Sequence, residues 1–232
     1  MSKNSDMNLL TRLLTRLFID DAHTRAPERV LPLVIFSLLS TLSAPTSANA
    51  YGLVPQQFIY CTTCHGVALQ GNRAVDAPRL IGMEPWYVRN QLNAFREGWR
   101  GGHDDLIGME MRPQATILDA DGVDAAVAFV TSVPARKPSA ATVVGDAGRG
   151  RNLYTSCAAC HGSNAEGNST LKAPRLRGQS DWYLVLQLEK FRSGIRGDKP
   201  GDIYGSQMRA SVSVLRDESA INDVVAYINS LE

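Results

Sequence analysis

The 232 residues contain no apolar run of the roughly 18 needed to cross a bilayer. Nor do they carry an excess of either charge: the formal net charge is +1, which argues against binding nucleic acid by neutralising phosphates. Histidine is scarce, with four in the chain, and so is cysteine, also with four. The alternation of apolar and polar residues that marks paired strands is missing beyond residue 50. At 44% apolar and 20% charged, the composition is still that of a globular protein, not a disordered tail or a coiled coil. The few cysteines fall in two identical spacings.

Residues 30–42 read VLPLVIFSLLSTL, a short apolar stretch interrupted by Pro32. Lys3, Arg12, Arg16, Arg25 and Arg29 precede it, and APTSANA follows, with Ala48-Asn49-Ala50 as a small-x-small site. A basic region, a short apolar region and such a site together describe a secretory signal peptide over 1–50. The other reading is an uncleaved anchor, for which the apolar run is short. The amphipathic LLTRLLTRLF stretch has no account in either. Cleavage after Ala50 leaves a formally neutral chain beginning at Tyr51.

That chain is a duplication. With CTTCHG at Cys61 set over CAACHG at Cys157, an offset of 96, 20 of the 41 positions 61–101 are identical. APRL (77–80) meets APRL (173–176), Trp86-Tyr87 meets Trp182-Tyr183, and Gln91-Leu92 meets Gln187-Leu188. Phe95-Arg96 meets Phe191-Arg192, and Arg100-Gly101 meets Arg196-Gly197. The offset becomes 97 at GMEMR (108–112) over GSQMR (205–209), and 98 at the last helix. The expected domains are 51–135 and 148–232, with an exposed linker at 136–147 inside the Pro- and Ala-rich segment PARKPSAATVVGDAG. Copies this small bury only a modest core, and a rigid cofactor would supply the missing apolar centre.

Both copies read as helical. Val88, Leu92 and Phe95 recur at helical spacing, as do Leu184, Leu188 and Phe191, with Ser180 as an N-cap and Gly98 and Gly194 just past the ends. Val123, Val127 and Val130, and Ile221, Val224 and Ile228, mark the last helix of each copy.

Cys61-Thr62-Thr63-Cys64-His65 and Cys157-Ala158-Ala159-Cys160-His161 are C-x-x-C-H motifs, the spacing of c-type haem attachment. Two thiols on one helical turn each form a thioether to a porphyrin vinyl, and the next residue sets an imidazole under the iron. A thioredoxin-like site would need a βαβ pattern, a structural zinc would need four clustered ligands, and neither is found. Disulfides between cysteines three apart would be strained and would leave the His unexplained.

For the sixth iron position, His103 has no duplicate, and Met208 is the sole methionine of the second copy. It aligns with Met111, and each lies 46–47 residues after its His. A thioether suits haem iron and raises its potential. Met109 remains a competitor to Met111, and Met83 reads as packing or surface. The carbonyls of Pro78 and Pro174, each 13 residues after its His, are rigid acceptors for the second imidazole N–H, or simple turn prolines. The duplicated Trp86 and Trp182, Arg79 and Arg175, and Tyr87 and Tyr183 either meet haem propionates or pack helices. Arg100 and Arg196 read as parts of Gly-rich loops.

C-x-x-C-H, A-P-R-L, W-Y…Q-L…F-R-x-G-x-R-G and G-x-x-M-R, each present twice, resemble the dihaem cytochrome c4 family of class I c-type cytochromes. The resemblance covers nearly all of 51–232. It implies an all-α fold of two tandem class I cytochrome c domains related by a pseudo-twofold axis, with propionate edges close together. It implies two covalent haem c groups and a periplasmic electron carrier with no catalytic residues, serving a terminal oxidase, a cytochrome bc complex or a dehydrogenase. Peripheral contact with a membrane stays open. The alternative is the cytochrome subunit of a dehydrogenase complex such as flavocytochrome c sulfide dehydrogenase. A dihaem peroxidase would need one iron with an open or displaceable position, usually opposite a bis-His partner, and beyond residue 50 the one spare histidine is His103; a Cys-ligated thiosulfate-oxidising haem would need a fifth cysteine, and the sequence has four.

Overall fold

Aspartate starts most of the helices. In the computed structural model, which describes residues 54–231, the side chains of Asp105, Asp119, Asp146, Asp202 and Asp217 each accept hydrogen bonds from backbone N–H groups of the helix they precede. Among the described residues the α-helices are α1 Ile59–His65, α2 Pro85–Arg96, α3 Leu106–Thr116, α4 Ala120–Ser132, α5 Ala147–His161, α6 Asp181–Arg192, α7 Ile203–Ser211 and α8 Glu218–Asn229. Among the described residues there is no strand, only single bridges between Asn72 and Ala77 and between Asn168 and Ala173. The expected signal peptide at 1–50 lies outside the described residues.

α1–α4 and α5–α8 repeat one arrangement. The first copy packs Phe58, Leu69, Val88, Leu92, Phe95, Val123, Val127 and Val130 into one core, and Met83 and Met111 lie against it. The second packs Tyr154, Leu184, Leu215, Ile221, Val224, Val225 and Ile228, with Leu188 alongside. These are the stripes expected from helical spacing. Gly98 and Gly194 sit at φ of +73° and +81° just beyond α2 and α6, a conformation that a side chain strains. Ser180 does precede α6, but its side chain caps nothing.

An aromatic pair ties the start of each copy to its last helix. Phe58 stacks on Phe129 at 4.9 Å, and Tyr154 meets Tyr227 at 5.3 Å. α5 approaches α8 most closely at Gly150, where any Cβ would overlap the Asp223 carbonyl. The segment before α5 is fastened to the second domain. The Asp181 carboxylate accepts from the N–H groups of Thr142 and Val143, and Asp223 accepts from the N–H of Asp146 at 2.7 Å.

Candidate cofactor sites

His65 and His161 end α1 and α5, and each is buried at 6% exposure. His65 Nδ1 lies 2.7 Å from the carbonyl oxygen of Pro78, and His161 Nδ1 lies 2.8 Å from that of Pro174. A carbonyl only accepts, so Nδ1 carries the proton and Nε2 is left with its lone pair. Burial holds both imidazoles below the ordinary His range, opposed by these same bonds, and so favours the neutral form that binds metal. The two prolines are therefore more than turn residues.

A loop of fixed shape presents each carbonyl. Gly71 N–H donates to the His65 carbonyl at 2.9 Å and Gly167 N–H to the His161 carbonyl at 2.8 Å. Reciprocal bonds pin Asn72 to Ala77, and Asn168 to Ala173. A Cβ at Gly71 would come 2.7 Å from Arg79 N, so only glycine lets the loop close on itself.

The four cysteines are unbridged, with Cys61 and Cys157 half-buried and Cys64 and Cys160 exposed. Met111 and Met208 each occupy the sixth position of their helices, α3 and α7. Both are half-buried. Met109 is 38% exposed, and its counterpart is Ser206. Each helix begins at a capping aspartate with a glycine three residues on, Gly108 or Gly205, where a Cβ would collide with the capping carboxylate. The arginine of each G-x-x-M-R motif, Arg112 or Arg209, lies over Gly98 or Gly194.

Sequence reasoning gave Arg100 and Arg196 to loop structure; they are buried at the face between the two copies. Arg100 donates to Gln91 Oε1 of its own domain at 2.7 Å and to Gln187 Oε1 of the other at 3.2 Å. Arg196 repeats the pattern, with Gln187 at 2.7 Å and Gln91 at 3.2 Å. This four-residue ring is the expected pseudo-twofold in miniature. Each guanidinium also lies over a phenylalanine, Phe95 at 4.3 Å and Phe191 at 4.2 Å. Tyr183 hydroxyl approaches Arg100 at 3.4 Å. The duplicated Gln91-Leu92 and Gln187-Leu188 pairs were the visible sign of this ring, but nothing local says that the two meet.

The remaining duplicated residues also gather at this face. Trp86 receives Lys172 of the other domain over its ring at 5.5 Å, and Trp182 receives Arg73 at 5.0 Å. Arg79 is buried and donates to the Arg136 carbonyl, whereas Arg175 is exposed and bonds the Arg177 carbonyl at 3.1 Å. Lys190 of α6 pairs with Asp105, the cap of α3, and both are almost wholly buried. Burial alone would raise the Asp105 carboxyl, but Lys190 and the Gly108 N–H hold it below the usual range.

The residues fit haem c. Arg100 Nε and Arg196 Nε are buried without a partner. Burial, then the proximity of Arg100, holds the Arg196 guanidinium below its ordinary value. Two buried cations with unmet donors call for an anion, and a haem bears carboxylates on the edge opposite its thioethers. The chain matches the family model for cytochrome c twice, over 55–134 and 147–232. It belongs to the cytochrome c family. Within that family it is of the dihaem c4 kind. A "Thiosulfate dehydrogenase electron acceptor" from Stutzerimonas stutzeri is 37% identical over 65% of this chain and 71% of its own length. Cytochrome c4 from Thiocapsa roseopersicina is 31% identical over 74% of this chain and 86% of its own. Among solved structures, reduced cytochrome c4 from Pseudomonas stutzeri superposes with TM-score 0.58 at 27% identity, over 76% of this chain and 95% of that one. A thiosulfate dehydrogenase from Marichromatium purpuratum gives TM-score 0.59 at 27% identity over 72% of this chain, which spans 35% of that longer chain.

This dihaem cytochrome is thus two tandem cytochrome c domains carrying two covalently bound haem c groups, attached at Cys61 and Cys64 and at Cys157 and Cys160. It is an electron-transfer protein, not an enzyme.

Proposed function

We propose that this cytochrome is a periplasmic shuttle that takes electrons from a dehydrogenase of the thiosulfate dehydrogenase type and passes them toward a terminal oxidase. In this reading residues 1–50 direct export, 51–135 and 148–232 are the two carrier domains, and 136–147 joins them. Haem c supplies a one-electron ferric–ferrous couple. With haem bound, His65 and Met111 would hold the iron of the first domain and His161 and Met208 that of the second. Iron held in this way would pass electrons and bind no substrate. Pro78 and Pro174 would orient the imidazoles through Nδ1, and Arg100 and Arg196 would offer buried donors to propionates. Trp86, Trp182, Arg79 and Arg175 border that face.

The observation that carries this reading is the repeated Nδ1-to-carbonyl bond, which leaves Nε2 of both histidines free to bind metal, beside a methionine that recurs in register at the sixth position of α3 and of α7. The dehydrogenase side rests on the relatives named for that role, at 37% and 29% identity. Methionine-to-iron charge-transfer absorption and redox titration of Met111→Ala and Met208→Ala test it. Each variant is expected to lose one low-spin, methionine-ligated centre and keep the other. Loss through Met109→Ala instead would reassign the first ligand. Rapid reduction by a purified thiosulfate dehydrogenase supports the shuttle. Permanent co-purification with a flavoprotein would favour a complex subunit such as that of flavocytochrome c sulfide dehydrogenase.

A further inference from the structure

One carboxylate crosses the domain face to the far end of a ligand's hydrogen bond. Glu84 precedes α2, yet its side chain caps no N–H of that helix, although a cap there is worth about 1 kcal/mol. Its Oε1 instead accepts from the N–H of Arg175 in the other domain at 3.0 Å. The Arg175 N–H and the Pro174 carbonyl belong to one peptide unit. That carbonyl is the acceptor for His161 Nδ1 at 2.8 Å. The chain of bonds therefore runs from His161, through the Pro174–Arg175 peptide, to a carboxylate 91 residues before Arg175 in sequence. Gly167 makes room for it, since a Cβ there would come 2.9 Å from Glu84 Oε1. The first domain has the histidine, the proline and the loop, but the residue matching Glu84 is Ser180, which has no charge to offer.

We infer that Glu84 is a positioning residue for the second haem centre: through the Pro174–Arg175 peptide it strengthens the His161 Nδ1 hydrogen bond, so a carboxylate of one domain lowers the reduction potential of the other. Hydrogen bonds in series polarise one another. A negative charge on the N–H side of a peptide enriches its carbonyl oxygen. A stronger acceptor at Nδ1 makes the imidazole a better donor at Nε2, which favours ferric iron. Glu84 is half-buried, so water and salt still screen its charge in part and the effect is a tuning and not a switch.

The inference rests on His161 being an iron ligand. The test is a redox titration of Glu84→Gln, which keeps an acceptor oxygen and removes the charge, and of Glu84→Ser, which copies the first domain. Paramagnetic NMR of the oxidised protein assigns each centre through its axial histidine and methionine resonances. In both variants the potential of the second centre is expected to rise and the His161 ring resonances to shift, with the first centre unchanged. Unchanged potentials, or equal shifts at both centres, overturn the inference while two intact methionine-ligated spectra leave the ligand assignment standing. Absence of a histidine–methionine signature at the second centre of the unaltered protein would overturn both.

Discussion

Placed over one another, the two domains agree around their histidines and differ at several of the contacts they make with each other. The histidine-to-proline bonds, the aspartate-capped methionine helices and the arginine–glutamine ring are matched pairs. Asp105 has Lys190 across the face, whereas its counterpart Asp202 would face the position of Ala94. Trp99 lies against Gly201, a residue of the extra loop position in the second copy, where a Cβ would come within 3.1 Å of the indole. Residues 51–134 hold 6 basic and 9 acidic side chains and 147–232 hold 11 and 9, so the halves differ in sign as well. The surroundings of the two histidines have stayed symmetric, while these contacts across the interface have not.

The largest break in this comparison is expected from Lys190→Ala, which gives the second domain the residue of the first. It leaves Asp105 buried without its cation and should lower stability by about 3–5 kcal/mol in denaturant titrations. The same variant changes the acid limb. In the unaltered protein the Asp105 carboxyl ionises below its unfolded value of about 3.9, so its contribution is present above that pH and is lost as pH falls through the lower folded value. Without Lys190, burial pushes the carboxyl upward, and acid unfolding followed by circular dichroism should begin at higher pH.

Gly150→Ala comes next. The added methyl meets the backbone of α8, and a loss of about 1–3 kcal/mol is expected in thermal unfolding, with the second haem's spectrum affected before the first. The matching position in the first domain already carries a side chain, Val54. The smallest effect should come from Tyr154→Phe, which gives the second domain the residue that the first has at Phe58. Tyr154 hydroxyl donates to the Gly162 carbonyl at 2.8 Å, beside His161, and its loss should lower stability by about 1 kcal/mol. Burial holds that hydroxyl above its usual range, which favours the protonated form that donates.

What was legible in the sequence was local. The helical stripes, the attachment motifs and the register of Met208 with Met111 needed only spacing. Even the choice between Met109 and Met111 is partly a matter of spacing. Two residues apart on a helix point to different sides, and Met111 packs on the core while Met109 faces out. The contacts between domains were not legible. Arg100 meets Gln187 over 87 residues of chain, and Lys190 meets Asp105 over 85. No periodicity encodes which loop faces which. Ser180 shows the same limit at a single residue: read as the N-cap of α6, it precedes that helix, but its side chain caps nothing.

The arginine–glutamine ring has an evolutionary corollary. Each glutamine oxygen serves a guanidinium from either half, so a mutation in one copy strands a cation in its sister. The ancestral single unit would have met water with that surface; its descendants meet only each other. A half excised at the linker would inherit a dry, positively charged wound, and selection would have to rebuild it before the fragment could live alone.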